Sequence, residues 1–131
     1  MGVPPDFDGN RPSGNNLIDL FAYLIRKYGR MDTSEYARIM QLKTSELRGA
    51  ILAIGGMSAM EWRNRYLLLE AQELMERTDM SITAIAAKLG FSQPSVFSKF
   101  FRTLTKSQPW EWRVEKKKPG SNRKRTYHCY E

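Results

Sequence analysis

The sequence contains few of the residue types from which catalytic and metal sites are built. Its 131 residues include one histidine, His128, and one cysteine, Cys129. A single cysteine cannot form an internal disulfide, which favours a reducing compartment, and two adjacent ligand residues without partners do not make a metal site. Neither a phosphate-binding glycine loop nor a recognisable nucleophile motif is present. We therefore expect no enzyme activity, no cofactor and no metal.

Long apolar runs are also missing. No stretch approaches the roughly 18 apolar residues that a membrane span requires, and the first ten residues, with Asp6 and Asp8, do not resemble a signal peptide. With 41% hydrophobic and 27% charged residues, the composition is that of a globular protein with one domain or two small subdomains sharing a core. These observations predict a cytoplasmic protein without membrane contact.

Acidic residues are scarce in the C-terminal part. Residues 1–80 carry ten basic and eleven acidic side chains, whereas residues 81–131 carry eleven and three, and the whole chain has a net charge of +7. This asymmetry favours a polyanionic partner for the C-terminal part. An ordinary solvated surface followed by a basic tail is an equally acceptable interpretation of charge alone.

No segment alternates as a β-strand does, and helical periodicity recurs instead, so we predict an all-α fold of about seven helices. The first helix spans 17–28 and is ended by Gly29. A short helix follows, capped by Asp32 with Glu35 closing a capping box, and ends near Gln41. The third begins at Thr44 or Ser45, and its apolar face comprises Leu47, Ala50, Ile51 and Ile54.

The second half of the chain repeats this arrangement. Its longest helix runs from a Ser58–Glu61 capping box to about Arg77, and a short helix capped by Ser81 and stopped by Gly90 follows it. Two further helices begin at Pro94 and Pro109. A short helix, a tight turn and a second helix thus occur at 33–54 and again at 82–104. The candidate core positions of the long helix are Trp62, Tyr66, Leu69 and Leu74. The last helix contains Trp110, Trp112 and Val114, and its two tryptophans are expected to pack in the core or at a junction.

The helix predicted over 94–104 has two contrasting faces. Residues three and four apart form an apolar stripe of Phe97, Phe100, Phe101 and Leu104. The opposite face is polar and cationic and comprises Ser95, Ser98, Lys99 and Arg102. A helix of about eleven residues is roughly 16 Å long and fits the major groove of DNA, which is about 12 Å wide. An ordinary solvated face is the competing interpretation.

The preceding helix favours the DNA-binding interpretation. Ala86 and Ala87 allow close packing against the next helix, and Gly90 allows a sharp turn between the two. This is the helix-turn-helix arrangement, in which the second helix enters the major groove.

Residues 81–102 and 108–113 resemble the second helix-turn-helix of the AraC/XylS family of bacterial transcription regulators. The resemblance covers about residues 17–113 and is strongest over 79–113. Three positions depart from the family pattern: Lys106 replaces a usual glycine, Leu67 a usual arginine and Ile51 a usual aromatic residue. The matching residues are Ile85-Ala86, Gly90-Phe91, Phe97, Phe101, Pro109 and Arg113, with Gly56-Met57-Ser58, Trp62 and Ala71 to Leu74 in the linker helix.

The resemblance implies two homeodomain-like helix-turn-helix subdomains that place recognition helices 45–54 and 94–104 in successive major-groove segments of double-stranded DNA. It further implies a monomer on DNA, activation as the usual effect, and RNA polymerase as a candidate partner. The base-facing positions implied are Ser45, Glu46, Arg48 and Gly49 in the first unit, and Gln93, Ser95, Val96, Ser98, Lys99 and Arg102 in the second.

The predicted organisation has five parts. They are a flexible arm over 1–16, a first helix-turn-helix subdomain over 17–56, a linker helix over 57–78, a second subdomain over 79–115 and a disordered basic tail over 116–131. Two other functions remain open. The same fold could bind another regulator or RNA polymerase instead of reading DNA, or the chain could coat DNA without sequence preference.

Overall fold

The computed structural model describes residues 16–117, and these residues form seven α-helices and no β-strand. The all-α class and the predicted number of helices are therefore confirmed for this part of the chain. Asn16 already belongs to the first helix, and Lys116 and Lys117 to the last; the rest of the predicted arm and tail lies outside the described residues. The helices are α1 (Asn16–Tyr28), α2 (Thr33–Ile39), α3 (Thr44–Gly55), α4 (Ala59–Arg77), α5 (Ile82–Lys88), α6 (Pro94–Thr105) and α7 (Pro109–Lys117).

The chain divides into two compact units. The first unit extends through Tyr66 and the second begins at Leu67. Helix α4 contributes its first eight residues to one unit and its remaining residues to the other. The boundary therefore falls inside the helix that the sequence predicts as a linker.

The core of the first unit is built around Tyr36 in α2. Its ring packs edge-on against Phe21 of α1, with 5.3 Å between the ring centroids. Leu47 and Ile51, one turn apart in α3, are completely buried. Ile51 thus occupies a core position although it replaces the family's usual aromatic residue.

The Tyr36 hydroxyl also fixes the connection between α1 and α2. It donates a hydrogen bond to the carbonyl oxygen of Gly29 and accepts one from the backbone amide of Met31 at 3.1 Å. Arg63 of α4 holds the same connection, because its guanidinium donates to the carbonyl oxygen of Met31 at 2.9 Å. Burial, followed by the nearby charge of Arg30, lowers the pKa of Arg63. The hydropathy pattern does not reveal this polar cluster.

Alkaline pH is expected to destabilise the first unit through Tyr36. Burial raises the pKa of this hydroxyl to about 12, whereas an unfolded tyrosine titrates near 10. The resulting stabilisation is fully present below pH 10 and is lost as the pH rises through about 12, with a total of about 2–3 kcal/mol. The difference in unfolding free energy between the wild-type chain and Tyr36→Phe should therefore shrink over this range. Tyr28→Phe, at an exposed position, should leave the wild-type profile unchanged.

Aromatic residues dominate the core of the second unit. Phe91, just before α6, packs against Phe97 with 5.2 Å between ring centroids and against Phe100 with 5.0 Å. Phe101 contacts Trp112 of α7 edge-on at 5.9 Å. The predicted apolar stripe of α6 therefore faces the core, although Phe100 at its edge is only half-buried. This packing fixes the opposite face of α6 toward solvent.

The predicted core face of α4 is wrong, because a different side of the helix is buried. The four predicted positions, Trp62, Tyr66, Leu69 and Leu74, are only half-buried. Two polar side chains lie on the buried face. Because hydropathy assigns polar residues to the surface, the spacing of the apolar residues alone does not identify this face. The buried residues of α4 are Ala59, Arg63, Leu67, Leu68, Ala71, Gln72 and Met75. Leu67, which replaces a usual arginine of the family, is completely buried.

Three other expectations fail at single residues. Ile54 is 49% exposed near the end of α3, and Trp110 is 61% exposed in the first turn of α7. Asp32 does occupy the N-cap of α2 but makes no side-chain capping bond, and the Glu35 carboxylate forms an ion pair with Arg38 instead of closing a capping box.

Lys106 ends α6 in a conformation that usually requires glycine. Its φ is +67°, in the left-handed region, where a Cβ atom costs roughly 1 kcal/mol. We expect Lys106→Gly to stabilise the chain by about 0.5–1 kcal/mol, as measured by urea unfolding. Lys106→Ala is the matched control, since it also removes the contact of the lysine Nζ with the Thr103 carbonyl oxygen but keeps the Cβ. A stabilisation shared by both variants would contradict the backbone explanation.

Candidate nucleic-acid interface

The predicted internal duplication is present at the level of backbone hydrogen bonds. In the first turn, the amide of Gln41 donates to Arg38 at 3.1 Å and that of Leu42 to Ala37 at 2.9 Å. In the second turn, Gly90 and Phe91 donate to Ala87 and Ala86 at 3.1 and 3.0 Å. Both turns pass through a left-handed residue, Gln41 with a φ of +63° and Gly90 with a φ of +89°. Helices α2–α3 and α5–α6 are therefore two copies of one helix-turn-helix motif.

Helix α6 presents an exposed cationic surface. Lys99 and Arg102 lie one turn apart and are exposed, on the side opposite the buried Phe97 and Phe101. Within residues 16–117 neither cation has a hydrogen-bond or ion-pair partner. Two unneutralised charges on one rigid helix form a surface that attracts phosphate groups and the acceptor edges of guanine.

The N-terminal end of α6 adds small and neutral side chains to this surface. Gln93 is the N-cap residue and makes no side-chain capping bond; the Ser95 hydroxyl donates to its side-chain oxygen at 3.4 Å. Val96 is 37% exposed, and Ser98 is half-buried beside Lys99. All six positions predicted in the second unit therefore share one side of α6 or its N-cap, and five of them are exposed.

The corresponding face of α3 has a different chemistry. Ser45, Arg48 and Gly49 are exposed, as predicted, but the Glu46 carboxylate accepts a hydrogen bond from the backbone amide of Lys43 at 2.8 Å. Glu46 therefore acts as an N-terminal capping group of its own helix. One turn beyond Arg48, Leu52 is 57% exposed, so the outer face of α3 is partly apolar.

Two other kinds of site are not found in the described part of the chain. No group of three potential ligand residues among residues 16–117 could hold a metal ion. No helix in this range combines the length and the apolar composition that crossing a membrane requires.

Comparison with known families agrees with this geometry. A model described as a helix-turn-helix domain, of the AraC type, matches residues 36–115, which is more than half of the chain. The regulatory protein PocR of Salmonella typhimurium is 41% identical over 60 residues, which are 46% of this chain and 20% of PocR. The chain thus spans about a fifth of the length of this curated relative.

Solved structures of similar fold are also AraC-type DNA-binding domains. An AraC-type transcriptional regulator from Chromobacterium violaceum is 20% identical, with a TM-score of 0.70 over 84% of this chain and 100% of that one. The C-terminal domain of AraT, a response regulator from Geobacillus stearothermophilus, is 18% identical, with a TM-score of 0.70 over 89% and 98%. The DNA-binding domain of AdpA, solved with a target DNA, is 20% identical, with a TM-score of 0.65 over 75% and 86%.

Two helix-turn-helix motifs, an exposed cationic recognition helix and no strands among the described residues define a DNA-binding domain of a transcription regulator. The chain belongs to the AraC-type helix-turn-helix family. The resemblance noted in the sequence is thereby confirmed.

Proposed function

We propose that this chain binds double-stranded DNA sequence-specifically and regulates transcription, with α6 as its principal recognition helix. The observation that carries the proposal is the unpartnered pair Lys99 and Arg102 on the exposed face of α6. A helix held against its unit by phenylalanine residues has little freedom, so these cations keep a fixed spacing. Fixed cations on a helix can read the order of bases in the major groove rather than only its charge.

The two units contribute unequally in this proposal. In the second unit the base-facing positions are Gln93, Ser95, Val96, Ser98, Lys99 and Arg102. In the first unit Ser45, Arg48 and Gly49 approach DNA, while Glu46 stabilises the start of α3 and keeps its carboxylate away from a direct base contact. We expect Arg48 to bind a phosphate, since it is the only cation among the four predicted positions of that unit.

The wider activity belongs to the same proposal. The chain acts without catalysing a reaction, as a monomer on one asymmetric site, in the bacterial cytoplasm where it associates with the nucleoid. RNA polymerase is its candidate protein partner, and activation is the expected effect. The family membership and the structural similarity to DNA-binding domains support this assignment.

Selection from a random duplex library tests the proposal. The 131-residue chain is incubated with the library at physiological salt, and the retained DNA is sequenced. We expect one asymmetric motif with two blocks about 34 Å apart, one helical turn. If only one block of bases is enriched, α6 alone reads the DNA sequence. Retention without enrichment would instead identify nonspecific DNA binding with a steep salt dependence.

A protein-interaction module is the second candidate, and the exposed apolar side chains on α3 and α4 favour it. Leu52 and Met60 are 57% and 58% exposed, and apolar side chains at such exposure are common in protein contacts. A module of this kind would retain its activity when Lys99 and Arg102 are both replaced by alanine. It would also retain no DNA in the library experiment.

A further inference from the structure

A groove lies beside α3 in the first unit. It has a volume of about 410 Å³ and is lined by Thr33 at the start of α2, Arg48 and Leu52 of α3, and residues 58–60 at the start of α4. Its walls therefore come from three helices of one unit. A cavity of this size can hold one large side chain with its neighbouring backbone.

The lining of the groove specifies the chemistry of its occupant. Leu52 and Met60 expose more than half of their surface, and the buried Ala59 also lines the groove. Arg48 is the cationic group of the lining and has no partner within the described residues. The groove therefore suits an apolar side chain flanked by carboxylates. The apolar side chain would cover the exposed surface of Leu52 and Met60, and the carboxylates would neutralise the charge of Arg48.

One segment of the chain outside the described residues has this composition. The stretch 4–8 reads Pro-Pro-Asp-Phe-Asp and places one aromatic ring between two carboxylates. The segment 118–131 carries four basic residues and only Glu131 as an acid, so Arg48 would repel most of it. Phe7 lies nine residues before Asn16, where α1 begins, and such a stretch can span about 30 Å. This reach exceeds the diameter of a unit of about 50 residues.

We propose that the segment 4–8 docks in this groove, with Phe7 against Leu52 and Met60 and with Asp6 and Asp8 beside Arg48. The docked segment covers the face of α3 that would approach DNA and places two negative charges there. The docking is intramolecular, so a weak contact suffices because the tether keeps the local concentration in the millimolar range. Its effect on DNA binding rests on the proposed function, whereas the docking itself does not.

Methyl NMR spectra of the free 131-residue chain test the docking without DNA. A phenyl ring against Leu52 and Met60 displaces their methyl resonances, so Phe7→Ala should shift these signals and leave the methyl groups of the second unit unchanged. Tyr127→Ala is the matched control, since it removes an aromatic residue from the segment 118–131 and should shift the methyl resonances of neither Leu52 nor Met60. Unchanged Leu52 and Met60 signals in Phe7→Ala would overturn the proposal. Shifts that vary with protein concentration would also overturn it, because the occupant would then be a second copy.

Charge reversal tests the orientation of the docked segment. Arg48→Glu should change the methyl resonances of Leu52 and Met60 in the same way as Phe7→Ala, because the new carboxylate at position 48 would repel Asp6 and Asp8. Adding Asp6→Lys and Asp8→Lys to Arg48→Glu should restore the wild-type methyl positions. If Arg48→Glu alone leaves these positions unchanged, the assigned pairing is wrong.

DNA affinity separates the docking from its regulatory effect. If the segment occupies the groove for half to nine-tenths of the time, Phe7→Ala should bind the selected DNA site about two- to tenfold more tightly. If the wild-type chain and Phe7→Ala bind the selected DNA site equally tightly, the docked segment does not compete with DNA. The methyl shifts report the docking independently of this result. A protein that binds no DNA but shows the shifts would refute the proposed function and leave the docking intact.

Discussion

Replacing both Lys99 and Arg102 with alanine is expected to weaken binding to the selected DNA site by about two orders of magnitude or more. Each side chain is exposed and unpartnered among residues 16–117, and a well-made bidentate contact from such a group discriminates by about 1–3 kcal/mol. The fold should persist, because neither side chain contributes to the phenylalanine core. Fluorescence anisotropy with the selected duplex at several salt concentrations measures the effect.

The salt dependence of binding distinguishes base contacts from phosphate contacts in the same experiment. Loss of two phosphate contacts would flatten the slope of log affinity against log salt concentration by about two and would weaken all sequences alike. Loss of base contacts would instead reduce the preference for the selected sequence. The double variant Arg38→Ala with Arg77→Ala is the charge-matched control, since both arginines are exposed but already paired, with Glu35 and Glu73. If the control loses as much affinity as the α6 double variant, net charge and not α6 governs binding.

Most helix boundaries were predictable because they depend on local interactions. The Ser58–Glu61 capping box forms in both directions, with both hydrogen bonds at 3.1 Å. Ser81 caps α5 through a hydrogen bond from the amide of Ala84 at 3.0 Å, and Gly29 and Gly90 follow the ends of their helices with positive φ. Each of these signals acts within a few residues, so the sequence contains all that is needed to find it.

The buried face of α4 was not predictable for a different reason. Two of its seven buried residues are polar, Arg63 and Gln72, and hydropathy assigns such residues to the surface. Arg63 is buried because it binds a carbonyl oxygen of the connection between α1 and α2, 32 residues away in the chain. Long-range hydrogen bonds of this kind leave no local pattern, so periodicity selected the aromatic side of the helix instead.

The candidate site shows the same contrast between local and long-range information. The cationic face of α6 was predictable because the phenylalanine stripe fixes the side that must point outward. The role of Glu46 was not, because Lys43 at the N-cap is an unusual capping residue, and the usual serine or threonine signal is missing. The groove beside Arg48 could not be predicted either, since its walls come from the middle of α3 and the beginnings of α2 and α4, which meet only in the folded unit.

Arg113 provides the second large expected effect, on stability. Its guanidinium donates to the carbonyl oxygens of Met75 at 3.0 Å and Thr78 at 2.8 Å and also to that of Met80. These carbonyls belong to the last turn of α4 and the connection to α5, where a helix leaves acceptors without partners. One planar side chain of α7 therefore completes the end of another helix and attaches α7 to it.

Arg113→Ala is expected to cost about 2–4 kcal/mol of unfolding free energy, since it removes three charge-assisted hydrogen bonds and leaves partly buried acceptors unpaired. Urea unfolding measures the total, and amide hydrogen exchange locates it: protection should fall in α7 and at the end of α4 but not in α1–α3. Arg113→Lys should recover only a small part, because one ammonium cannot reproduce the planar fork that reaches three acceptors. Arg77→Ala removes a cation from the same turn of α4, but its exposed ion pair with Glu73 should contribute less than about 1 kcal/mol. Equal losses from Arg113→Ala and Arg77→Ala would show that charge near the helix end, and not the three-carbonyl geometry, stabilises this region.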